Sequence, residues 1–236
     1  VLDYTREAAV YDATRGGVPR ARAAAEAVDA LLPATARDHL DLACGTGLVS
    51  ERIAQPGRRV VGVDLAPGML TVAAGRLPGH ALRADCRRLP FTAAAFDSVS
   101  AVWLLHLLDD AAPVVAEAAR VLRPGGVFVT TVDKADAHDV GSDIDTLVGP
   151  YRLRQVADAH ATVTALAEQH GLTPCGEALF QGHGQGRTPA ELARRVRAGD
   201  MYREGGSALA ARLAALPDPD TPRPEPVFRL MAFRAA

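Results

Sequence analysis

The sequence predicts an α/β fold: a doubly wound, mostly parallel sheet of seven strands, with helices on both faces and an antiparallel last strand. Three observations predict it. Apolar strand patterns alternate with helical ones up to residue 133, the signature of strand–helix–strand crossovers. Two closely spaced glycines, Gly45 and Gly47, follow the first strand directly, and such sheets bind ligands at the carboxyl ends of their strands. Two late strand patterns, 172–181 and "VFRLMAFRA" at 227–235, are joined by a long excursion. That suits an antiparallel pair at one sheet edge, with the final strand entering between the fifth and sixth.

The elements follow in order. "PRARAAAEAVDALLP" (19–33) has helical periodicity, with Pro19 in a first turn and Pro33 closing it. A strand is expected at 39–43, then the glycine turn, a helix over 47–55, and the β-branched buried strand "RRVVGVD" (58–64). Pro67 begins a helix that ends near 77–79, followed by a short strand at 80–85 and another at 96–105. "APVVAEAARVLRPGG" (112–126) reads as a helix stopped by Pro124 and two glycines, and "GVFVTTVD" (126–133) as the fifth strand. Beyond the polar stretch 134–151 come a helix over 153–170, the late strand, and helical pieces at 189–198 and 207–216.

Composition narrows the function. A chain of 236 residues, 48% hydrophobic and 23% charged, suits one α/β domain. The net charge of −2 and pI near 6.4 leave no global basic footprint for nucleic acid. No apolar run approaches the roughly 18 residues of a membrane span, and "VLDYTREAAVYDATRGG" has no apolar secretory core, so a cytoplasmic protein is expected. Cys44, Cys86 and Cys175 form neither a CxxC nor a Cys/His cluster, so no metal site is expected.

The glycine turn departs from the dinucleotide fingerprint, since Ser50 stands where a third glycine belongs. Asp41 precedes the turn, where a carboxylate would repel a pyrophosphate. Asp64 ends the second strand and Asp85 the third. Acids at the ends of three consecutive strands suit a ligand with an amine, a ribose and an adenine.

"DLACGTG", "VVGVDLAPGML", "LRADCRRLPF", "FDSVSAVWLLHLL" and "RVLRPGG" together resemble the class I S-adenosylmethionine-dependent methyltransferases. They are nearest the small-molecule group that includes the quinone-biosynthesis methyltransferases. The resemblance covers roughly residues 4–133 and implies a Rossmann-like fold with S-adenosyl-L-methionine as cofactor. It implies Gly45 and Gly47 beside the methionine part, Asp41 and Ala43 near its amine, and Asp64 on the ribose. Leu65 and Met69 would flank the adenine, Asp85 and Cys86 would read its edge, and Val102 and Trp103 would lie after the fourth strand against the amine. In "YDATR" (11–15) it implies that Tyr11 and Arg15 reach over the methionine carboxylate.

The acceptor is less legible. A single domain over 1–236 is expected, with 1–20 as an N-terminal lid and 134–160 and 180–216 as caps over a small-molecule substrate, and with no nucleic-acid or membrane partner. Gly16 and Gly17 would serve the lid as a hinge. His106, just past the fourth strand, is the candidate general base; the plainer reading is that it packs or caps the next helix. His183 and Arg187, among glycines, either grip an anionic substrate group or sit in an exposed loop. Asp133 faces the acceptor or caps the next segment. Where the amino-methyltransferases of nucleic acids carry an acid or amide and two prolines, this chain reads "AVWLLH", which disfavours that group. Oxygen is the favoured acceptor, and the resemblance implies a natural-product or quinone-like substrate. C- or N-methylation, or cofactor binding without methyl transfer, would use the same cofactor residues.

Overall fold

The computed structural model describes residues 3–236; Val1 and Leu2, the start of the expected lid, lie outside the described residues. Seven strands form one sheet: β1 (Asp38–Leu42), β2 (Arg59–Asp64), β3 (Ala81–Arg83), β4 (Phe96–Ala101), β5 (Leu122–Val132), β6 (Leu172–Gln181) and β7 (Val227–Ala235). Their order is β3-β2-β1-β4-β5-β7-β6, parallel from β3 to β5, with β7 antiparallel to both neighbours. The chain order reverses between β1 and β4, and the ligand crevice of such a sheet opens beside that reversal.

Period-two alternation decides what each face of a strand does. In β1, Leu40 and Leu42 join an apolar cluster with Val99, Phe128 and Phe233 on one face. His39 and Asp41 point to the other face, and the register sets them opposite Ser98 and Ser100 of β4. A second apolar cluster, including Val28, Val60, Val129, Phe180 and Phe228, fills that second side.

Helices α1 (Tyr4–Thr14) and α2 (Gly17–Asp29) precede the sheet; α3 (Ser50–Ile53), α4 (Pro67–Arg76) and α5 (Ala112–Val121) connect its parallel strands. Beyond β5 lie α6 (Asp143–Val148), α7 (His160–Gln169), α8 (Pro189–Arg197) and α9 (Gly206–Ala214). Helices α6, α8 and α9 surround a third apolar cluster of Ile144, Val148, Leu192, Val196, Leu209 and Leu213, separate from the sheet. Among the described residues no helix is long and apolar enough to cross a membrane.

Several boundaries differ from the sequence reading, each for a local reason. Residues 45–49 are turn rather than helix, so α3 keeps only four residues. The helix expected to reach Pro124 ends at Val121, and Leu122 is already extended, because a nearby proline disfavours helical backbone before it. Arg123–Gly126 then bulge between the pairs Phe96–Leu122 and Ser98–Val127, and Arg123 holds Asp97 (2.6 Å) and Asp38 (3.1 Å). The helix expected from 153 begins only at His160, whose N–H donates to Asp133 (2.9 Å); Asp133 therefore caps α7. Helix α6 arises inside the polar stretch through a capping box between Ser142 and Asp145. Helix α1 lacks an apolar stripe, with only Ala8 buried, so periodicity missed it; Asp3 caps it and it packs on α4.

Candidate active site

The crevice is one cavity of about 1290 Å³ at the carboxyl ends of β1, β2 and β4, roofed by α1 on one side and by α8 and the 149–154 and 184–204 segments on the other. It is lined by Tyr11, Arg15, Asp41, Ala43, Gly45, Asp64, Leu65, Met69, Asp85, Cys86, Val102, Trp103 and His106. Gly47 is the one proposed cofactor residue outside the lining; a Cβ there would press on Ala73 at 3.3 Å.

The turn is built around Asp64. One carboxylate oxygen accepts from the Gly45 N–H (2.9 Å) and the other from the Ala66 N–H (2.8 Å). A carboxylate offers about four lone-pair positions, so capacity remains for ribose hydroxyls. Gly45 takes φ +55°, and a Cβ added to it would meet nothing within 4 Å, so open space lies beside this backbone. Thr46, between the glycines, donates its hydroxyl to Asp12 of α1 (2.6 Å); Arg76 holds the Thr46 carbonyl (2.8 Å) and Asp12 (2.8 Å). Asp12, Thr46 and Arg76 have no motif of their own, and sequence reasoning passed over them.

Asp41 is buried at the cavity floor within a polar chain. Its oxygens accept from Ser100 (2.7 Å) and Ser50 (2.5 Å). Ser100 gives its only proton to Asp41, so it accepts from Nε2–H of His39 (2.9 Å), which leaves Nδ1 to accept from Ser98 (2.8 Å). Burial raises the Asp41 carboxyl to about 6, with the serine bonds pulling the other way; burial and then Arg58 lower His39 to about 3. Asp85 is held by Arg87 through Nη2 (2.7 Å), a bond that keeps its carboxyl below the usual range.

The far half is cationic. Arg20 is 8% exposed; its guanidinium lies 3.4 Å from the Trp103 ring centroid and donates to the Arg15 carbonyl (3.1 Å). Trp103 has φ +58°, is anchored by its N–H on Thr131 (2.8 Å), and stands edge-on to Phe180 and Phe228. Lys134, His138 and Arg187 line the same half. His106 sits in a short 3-10 turn (Leu105–Leu107) with a buried Nδ1 that is unpartnered among the described residues, and burial, Lys134 and Arg20 lower it to about 3. His183 pairs with Glu225 (3.1 Å) and does not line the cavity, whereas Arg187 does. Arg20 did leave a signal: it shares helical spacing with Ala24 and Val28, a charge on a buried stripe.

Residues 40–130 match the family described as "Methyltransferase domain". The chain carries a class I S-adenosylmethionine-dependent methyltransferase domain. Over 102 residues it is 43% identical to an uncharacterized methyltransferase of Mycobacterium tuberculosis, covering 43% of this chain and 42% of that one. A protein of Mycolicibacterium smegmatis named "Probable S-adenosylmethionine-dependent methyltransferase" is 32% identical over 178 residues, 75% of this chain and 63% of its own. A ubiquinone biosynthesis O-methyltransferase of Paracidovorax citrulli is 34% identical over 119 residues, 45% and 48% of the two chains. The chain thus spans about two-fifths of the length of the first and under two-thirds of the others. Among solved structures the [4+2]-cyclase SpnF shares the fold at TM-score 0.63 and 19% identity, covering 98% of this chain and 93% of its own.

The methyltransferase domain's own residues fit the cofactor of its family. A carboxylate ends β2, an open glycine turn lies beside it, and the buried Trp103 Nε1 has no partner among the described residues. Among the described residues no group of three or more His, Cys, Asp or Glu is placed to hold a metal ion.

Proposed function

We propose that this chain moves the methyl group of S-adenosylmethionine to an oxygen of a small metabolite. One observation carries the reading. The cavity, about 1290 Å³, exceeds the roughly 300–1,000 Å³ of a site for one drug-sized ligand, and it runs without a break from the Gly45–Asp64 side to the Trp103–His106–Lys134 side. It has room for donor and acceptor together.

The cofactor supplies an electrophilic methyl on a positively charged sulfur. The protein's work is to hold the two reactants within near-attack distance, and a continuous cavity lined by α1 and the α8 region suits that. In this reading Asp64, with the Gly45 turn, holds the ribose end, and Arg15 faces the methionine carboxylate. His106 accepts the acceptor's proton. Lowered to about 3, its imidazole is neutral at physiological pH and a weak base. Such a base suits an acidic hydroxyl, a phenol or an enol, better than a simple alcohol. The kinship with a ubiquinone biosynthesis O-methyltransferase supports oxygen and a quinone-like or natural-product acceptor.

The test is incubation of the full chain with methyl-labelled S-adenosylmethionine and a metabolite extract. Label in an O-methylated small molecule is the expected result. Tight cofactor binding with no labelled product would favour the non-methylating alternative, and label on nitrogen or carbon would replace the acceptor atom.

A further inference from the structure

We propose that the methyl acceptor carries an anionic group, a carboxylate or a phosphate monoester, and that Arg20, Lys134 and Arg187 form its subsite. The word acceptor rests on the methyl-transfer reading above; the anion site stands on its own geometry.

All three side chains line the cavity, and among the described residues none is held in an ion pair. Their neighbour Arg152 shows the contrast: it lines the same wall but is neutralised by Asp139 (3.0 Å) and Asp145 (2.9 Å). Arg20 is buried, with its Nε unpartnered and its plane against Trp103. Arg187 is steadied by the Tyr202 hydroxyl at 3.0 Å.

The groups feel one another. Burial first, then Arg20, Arg15 and Arg187, lower Lys134 to about 8, and Asp158 is the one carboxylate that opposes them. Asp158 already accepts from the Lys134 backbone N–H (2.9 Å). His138, edge-on to Phe228 at 5.8 Å, is lowered to about 2 by burial, Arg187, Lys134, Arg152 and Arg20, so it adds no further charge at neutral pH. Glu191, Asp200 and Glu204 also line the cavity but pair with none of the three.

Gathering like charges in a cavity without counterions is costly, and a folded chain keeps such an arrangement where a ligand supplies the opposite charge. The methionine carboxylate of the cofactor accounts for one cation at most, and Arg15 at the end of α1 is the one proposed for it. Arg20, Lys134 and Arg187 together offer two guanidiniums and an ammonium, the donor set that recognises carboxylate and phosphate oxygens.

The experiment is calorimetric titration of the full chain with benzoate, phenyl phosphate and neutral benzamide, each with and without S-adenosylhomocysteine. The expected result is binding of at least one anion tenfold or more tighter than benzamide, undiminished by S-adenosylhomocysteine. Lys134→Met and Arg187→Met should each weaken the anion at least tenfold and change S-adenosylhomocysteine affinity less than twofold, with Arg187→Lys intermediate. Equal binding of benzamide, no anion binding at millimolar concentration, unaffected variants, or displacement of the anion by S-adenosylhomocysteine would each overturn the subsite. Failure of S-adenosylhomocysteine to bind counts against the methyl-transfer reading alone, because the benzoate–benzamide comparison in wild type decides the anion site without it.

Discussion

The Thr46 hydroxyl donates to the Asp12 carboxylate at 2.6 Å, tying the N-terminal helix to the glycine turn that lines the cavity. Arg76 closes the same knot from α4. The consequence is mutual: whatever orders the turn also holds α1 down, and α1 carries Tyr11 and Arg15 to the cavity. The expected hinge is packed as well, since Gly16 takes φ +84° and a Cβ there would overlap the His183 carbonyl.

Asp12→Ala is therefore expected to lower S-adenosylhomocysteine affinity by about 1 kcal/mol, a factor of about five. Thr46→Val should cost less, because Asp12→Ala also removes the Arg76 pair, and the double variant should cost little more than Asp12→Ala alone. Hydrogen exchange over residues 4–14 should slow on adding the ligand. Additive losses, or exchange that ignores the ligand, would uncouple α1 from the site.

Asp64 organises two backbone N–H groups of the turn and is proposed to read the ribose. Asp64→Ala should weaken S-adenosylmethionine at least tenfold, about 1.4 kcal/mol, by calorimetry. NAD should give no heat at all. Unchanged affinity would move the cofactor elsewhere.

His106→Ala separates chemistry from packing. Loss of a positioned base is worth about 10²–10⁴ in turnover, so kcat should fall by that order with S-adenosylhomocysteine affinity retained. If kcat holds once an acceptor is identified, His106 merely lines the wall and the acceptor arrives already ionised.

The buried pair His39 and Asp41 sets opposite pH trends. His39, lowered to about 3 in the fold, contributes stability present above its ordinary value of 6.5 and lost as pH falls toward 3. Asp41, raised to about 6, contributes stability present below its ordinary value of 3.8 and lost as pH rises through 6. Between pH 6.5 and 4 the two offset, each on the order of 2–3 kcal/mol. Relative to wild type, His39→Gln should gain stability on acidification over that range and Asp41→Asn should lose it. Urea midpoints at pH 4, 5 and 6.5 measure both; parallel trends would mean the chain of hydroxyl bonds absorbs the titration.

Local pattern determined most of the fold. Buried parallel strands are continuous β-branched runs, and "RRVVGVD" declares itself without its neighbours. The same holds for the glycine turn and for Asp64 and Asp85, whose positions follow from where strands stop. Even the antiparallel entry of β7 was legible, since two late strand patterns joined by a long excursion follow the parallel alternation. Helix ends were less legible, because Val121 and His160 are set by a proline bulge and by Asp133, a residue 27 positions away. What only tertiary structure decided is which charges have partners. Arg152 and Arg187 are alike as letters, yet one is closed by Asp139 and Asp145 and the other faces a cavity. Pairing depends on side chains far apart in sequence meeting within a few ångströms, whereas strand and turn depend on backbone preferences of adjacent residues. The proposed cofactor side of the cavity was therefore open to a reading of the sequence, and the proposed anion subsite became visible only when Arg20, Lys134 and Arg187 were brought to one cavity.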